Sequence, residues 1–245
     1  RLRDIVAGKL AALALIAALF MLPACIGLAL MAARPGASVP VAGVLVLAYA
    51  AYLALWCVVI AALSALSRRR RDALLTLVGI WAVVALLVPR LATDAAYAAF
   101  PLPDRLQTDV GIAADLREIG DSHDPDDPYF SGFKRGVLER YSVDRIEDLP
   151  VNYRGLVAVE GERLTSGLFD AYAERSAAIQ HAQNARVAVF GALSPALPLR
   201  QLSMAAAATD LSSHLRFLEQ AEAHRYTMVQ QLNQLQADGV RYADD

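Results

Sequence analysis

Apolar residues dominate the first third of the chain and give way sharply to mixed polar sequence afterwards. Between Leu10 and Pro89 the only charged residues are Arg34, the run Arg68 to Arg71, and Asp72. A bilayer core of about 30 Å calls for about 20 apolar helical residues. Leu10 to Ala33 supplies a charge-free stretch of that size, and Val41 to Leu66 supplies another. A third run, Ala73 to Val88, is shorter and needs residues past Arg90 to complete a crossing. The pattern predicts three membrane spans over residues 10–33, 41–66 and 73–92. The first is too long for a cleaved leader, and further spans follow it.

Beyond residue 92 the period changes to that of amphipathic helices. Helical stretches are expected at Asp104–Ile119 and Tyr129–Tyr141, with a short turn at Asp144–Pro150. A long tract follows from Asn152 to Val189, and after Ser194-Pro195 and Pro198 a last helix from Leu199 to about Ala237. In that helix Leu211, Leu215 and Leu218, then Val229, Leu232 and Leu235, recur at steps of three and four and mark an apolar face. Leu211, Leu215, Leu218 and Leu232 are candidates for contact with a partner. No alternating strand pattern of useful length occurs. The expected fold is all-α: a transmembrane region over residues 1–92, then a helical domain over 93–245 built on a long antiparallel hairpin.

Charge sets the orientation. Arg1, Arg3 and Lys9 precede the first span, and Arg68, Arg69, Arg70 and Arg71 separate the second from the third. The opposite side carries Arg34 in the turn Arg34-Pro35-Gly36, and Arg90 can snorkel at the end of span three. Positive residues favour the cytoplasmic side, which puts the residues after about 92 outside it. The four arginines are candidate contacts for lipid headgroups or a cytoplasmic partner. A net charge of −2 gives no field for nucleic acid.

Candidate chemistry is sparse. Cys25 and Cys57 both lie in the apolar third. No phosphate-binding loop ending in Gly-Lys-Ser or Gly-Lys-Thr occurs, since Gly8-Lys9 precedes leucine. No His-Glu-x-x-His pair is present, and His181, His214 and His224 have no ligand spacing. The acidic loop holding Asp121, Asp124, Asp126 and Asp127 offers oxygen ligands of the kind calcium takes, but it lacks the glycine and distal glutamate of an EF-hand, and a solvated turn is the leading reading beside a cation site. The spans carry no ionisable residue at mid-depth that would serve a proton relay. The expectation is no catalytic residue, no cofactor and no metal.

Several stretches carry a resemblance. Arg1-Leu2-Arg3-Asp4-Ile5-Val6-Ala7-Gly8-Lys9-Leu10 resembles the approach to the third span of type-2 ABC transporter permeases. His123-Asp124-Pro125 with Asp127-Pro128, and Leu149-Pro150-Val151-Asn152-Tyr153-Arg154-Gly155, resemble a bacterial permease group with a large outer domain of unknown function. So does the run holding Leu193-Ser194-Pro195-Ala196-Leu197, Leu202-Ser203-Met204, Thr209-Asp210-Leu211, His214, Phe217-Leu218-Glu219-Gln220-Ala221-Glu222, Arg225 and Leu232-Asn233. The resemblance implies a six-span permease subunit of the bacterial inner membrane, an exporter, of which this chain is a fragment holding spans three to five. It implies a separate cytoplasmic ATPase that hydrolyses ATP, a second permease subunit as homo- or heterodimer, surrounding lipids and an extracytoplasmic partner. The coupling helix toward the ATPase would lie just upstream of Arg1. A reading of another class is a non-transporting membrane anchor whose helical domain acts as a scaffold or sensor.

Overall fold

A computed structural model describes residues 2–34, 38–124 and 126–239. Arg1, the Pro35-Gly36 part of the expected turn, Pro125 and the final Asp244-Asp245 lie outside the described residues. Among the described residues the chain forms nine α-helices and no strand. The predicted all-α class is therefore the observed one.

Three helices are long and apolar enough to cross a membrane. They are α1 (Leu2–Ala32), α2 (Val39–Leu66) and a continuous rod over Arg70–Ala99, made of α3 (Arg70–Ala82), a π-helical turn (Val83–Leu87) and α4 (Val88–Ala99). The π turn has a local cause. Pro89 has no N–H to donate, and its ring crowds the carbonyl one turn back. Widening the turn lets the Val88 N–H reach the Val83 carbonyl and carries the helix past the proline. This is how the third run, short by sequence, reaches a full span.

The remaining helices are α5 (Arg105–Ile119), α6 (Pro128–Tyr141), α7 (Tyr153–Val189), α8 (Ala196–Ala206) and α9 (Leu211–Gly239). The expected single helix from Leu199 to about Ala237 is broken into α8 and α9. Ala208 takes a left-handed conformation, φ 54°, which stops α8. The Asp210 carboxylate then accepts from the Ser213 hydroxyl and backbone, capping the start of α9. Local capping thus outweighs the helix propensity of the alanine run Ala205–Ala208.

The chain divides into two compact units. The first joins residues 1–100 to His181–His214; the second holds Pro101–Gln180 and Leu215–Asp245. In the first, α1 lies on α2, and Lys9 Nζ donates to Ser64 Oγ at 3.0 Å. Its large apolar side chains point outward: Leu19, Phe20 and Leu66 are 69, 77 and 80 % exposed. Neither α2 nor α3 has a buried residue. A surface of this kind is stable against hydrocarbon rather than water.

In the second unit α7 and α9 run antiparallel. The Asn152 N–H donates to the Ala237 carbonyl at 2.7 Å, while Asn233 and Gln230 donate to the carbonyls of Ala158 and Val159 at 3.2 and 2.9 Å. Asn152 also caps α7, its side-chain oxygen accepting from the Arg154 N–H at 2.9 Å. At Gly155 a Cβ would lie 2.4 Å from the Ala237 nitrogen, so only glycine permits this crossing. The Asn152–Gly155 part of the sequence motif is therefore the hairpin's clamp.

Candidate functional site

Two arrangements stand out, one in each unit. In the first unit α8 packs on α2, and the Phe190–Ala192 turn packs on α4. Ala92 and Ala96, 0 and 2 % exposed, give α4 a flat surface for close approach. Gln183 Nε2 donates to the Phe100 carbonyl at 2.7 Å, and Tyr49 and Ser203 share a hydrogen bond at 3.1 Å. These contacts leave a cleft of about 660 Å³ between α4, the end of α7 and α8. Its walls combine Ala96, Tyr97, Leu197 and Met204 with Thr93, His181, Asn184 and Arg200. A neighbouring recess of about 410 Å³ opens beside Tyr49 and Tyr52, and Arg200 lines that one too. Arg200 has no carboxylate within ion-pair distance among the described residues. Asp210, the acidic group on the cleft, is held below the usual carboxylate range by the Ser213 hydroxyl and then by backbone N–H groups.

In the second unit the helices are sewn together by polar groups. Arg225 of α9 donates to Glu162 at 2.7 Å, to Ser166 at 2.9 Å and to Glu222 at 2.6 Å. Ser166, itself buried, donates to Glu162 at 2.7 Å. Arg225 depresses the pKa of the Glu222 carboxyl. Tyr129 of α6 donates to Glu160 of α7, whose carboxyl is held low chiefly by Arg163, which donates to it at 2.7 Å. The same hydrogen bond to Glu160 raises the Tyr129 phenol. Tyr172 of α7 donates to Asp115 of α5 at 2.8 Å. Arranged this way the groups hold helices together.

The acidic loop is spent on the backbone. Asp127, 5 % exposed, accepts from the Phe130 N–H at 2.9 Å and from the Asp121 N–H at 3.1 Å. Those two bonds, in that order, lower its pKa. Asp121 and Asp124 accept from the backbone of His123 and Asp126 at 2.9 and 3.0 Å.

The sequence candidates fall as follows. Arg68 and Arg69 form the link from α2 to α3, and Arg70 and Arg71 occupy the first turn of α3; all four are exposed. Leu218 and Leu232 are 47 and 59 % exposed, whereas Leu211 and Leu215 are partly covered. Facing α7 instead are Arg225, Gln230, Asn233 and Ala237. Sequence reading missed Arg200, although it is the only charged residue from Val187 to Thr209. That isolation was the available signal.

Three outward-apolar helices joined to a polar-seamed helical unit define a helical membrane protein. Residues 105–244, more than half of the chain, match the family described as a domain of unknown function (DUF3526), and the chain belongs to that family. No curated protein matches the chain, and no solved structure matches it.

Proposed function

We propose that this chain is the membrane-spanning permease subunit of an ABC-type exporter of the bacterial inner membrane, driven by a separate cytoplasmic ATPase. The observation that carries the reading is the way the chain leaves its spans at Phe100, builds a helical unit, and returns His181–His214 to the spans. A rearrangement of α2 or α4 therefore meets α8 and the Phe190–Ala192 turn, which pack on them. Such coupling suits a mechanical role: closure of an ATPase dimer shifts the helices at the cytoplasmic face, and two permease halves rearrange around the substrate path.

The four arginines support the orientation. Cations in the first turn of a helix oppose its dipole, at about 0.3–1 kcal/mol each. Arg70 and Arg71 stand in the first turn of α3 with only Asp72 to offset them, which fits selection for charge at the inner membrane face. The second unit then lies outside the cytoplasm, where the exposed Leu218, Leu232 and Leu235 offer a surface to a second permease subunit or an extracytoplasmic partner.

Purification of the full-length protein in mild detergent, with mass spectrometry of what accompanies it, tests the reading. A stoichiometric ATPase whose hydrolysis needs both chains is the expected result. If no ATPase is recovered even after cross-linking, the permease reading fails, and a membrane-anchored scaffold or sensor takes its place.

A further inference from the structure

We propose that the cleft of the first unit binds an anionic amphiphile, with Arg200 holding its acidic head and α4, α8 and the end of α7 walling its apolar body. α2 has 28 residues and no charge, so it is about 42 Å long and overhangs a core of about 30 Å by about 6 Å at each end. Tyr49 lies about 15 Å along α2 from Val39, within the stretch long enough to cross the core. The Tyr49–Ser203 bond fastens α8 at that level, and Tyr52, nearly one turn deeper, lines the same recess.

Arg200 sits on α8 and lines both recesses. Arg200 is exposed beside the membrane-spanning helices, where a guanidinium gains from an anionic partner. No side chain among the described residues supplies an ion pair, and the carboxylate of Asp210 is engaged by Ser213. A bound phosphate or carboxylate meets the need, with His181 on the same cleft as a second donor. The rest of the wall, Tyr97, Leu197 and Met204, suits an acyl chain, and a cleft of about 660 Å³ is ligand-sized. The inference depends on α2 crossing a bilayer and not on the permease reading, since the bound molecule can be a resident lipid or cargo.

Native mass spectrometry of the full-length protein in mild detergent provides the test, with phosphatidylglycerol and phosphatidylcholine of identical chains as probes. Phosphatidylglycerol is expected to be retained about tenfold more strongly, the worth of one charge-assisted hydrogen bond. Arg200→Gln should abolish the preference and Arg200→Lys should keep most of it. Arg186→Gln, an exposed arginine outside the cleft lining, should leave it intact. Equal retention of the two lipids by the unaltered protein, a result that needs no variant to fold, would overturn the proposal. So would an unchanged preference in Arg200→Gln. Glycerol phosphate should fail to displace the lipid at equal concentration; displacement would show a site for free anions and remove the apolar half of the claim.

Discussion

The two units of this molecule are built from the same element and stabilised by opposite means. In the first, leucines, valines and phenylalanines face outward, and small residues such as Ala92 and Ala96 let helices meet. Side-chain hydrogen bonds are few there, as between Lys9 and Ser64 or Tyr49 and Ser203. In the second, helices meet through Arg225, Glu160, Arg163, Tyr172 and Asn152, each engaged with a named partner. The difference teaches which solvent each unit expects. Where lipid replaces water, burying apolar surface between helices gains little, and close packing carries the association. Where water surrounds the helices, satisfied polar seams fix one register at modest net energy.

Gly155→Ala is the hardest test of the second unit. The new methyl would meet the Ala237 backbone, so the hairpin should lose about 3 kcal/mol. Faster hydrogen exchange across α7 and α9, with the α1 and α2 amides unchanged, would register it. Arg225→Met comes next: Glu162, whose side chain is 18 % exposed, and Ser166 lose their cation. With solvent screening allowed for, the cost is about 1–2 kcal/mol, read as a lower melting temperature.

Acid should separate the units further. Asp127, Glu160 and Glu222 have folded pKa values below their unfolded ones. Their stabilisation is complete above the unfolded values of about 4, and it drains away as pH falls through the folded values. Circular dichroism of the full-length protein should therefore show the second unit's helices melting first below about pH 4.

Smaller effects belong to the first unit. Ala208→Gly relieves a left-handed alanine between α8 and α9 and should stabilise by up to ~1 kcal/mol, seen as a raised melting temperature. A double-mutant cycle on Tyr49→Phe and Ser203→Ala should give about 0.6 kcal/mol, the usual worth of an interhelical hydrogen bond in a membrane. A coupling near zero would remove that bond from what fastens α8 to α2.

Much of this fold was legible in the sequence, because membrane spans announce themselves by length and prolines mark helix ends. Pro128 opens α6, and Ser194-Pro195 leads into α8. The break at Ala207–Asp210 was hidden by an alanine run with high helix propensity, although Thr209-Asp210 carried the capping signal. The leucine pattern of α9 was visible, but its direction was not: periodicity tells which residues share a face, and the partner helix decides which face is covered. The cleft was the least legible part. It depends on residues far apart in the chain, Tyr97, His181 and Arg200, whose meeting no local pattern encodes.

The proposed topology puts the second unit and the arginine link on opposite sides of a membrane. Cysteine labelling in intact cells tests it most directly, in the full-length protein with Cys25 and Cys57 replaced by alanine. Ser131→Cys, exposed on α6, should react with a membrane-impermeant maleimide from outside, while Arg70→Cys should react only after permeabilisation. Labelling of Arg70→Cys from outside, or protection of Ser131→Cys until the membrane is opened, would contradict the account.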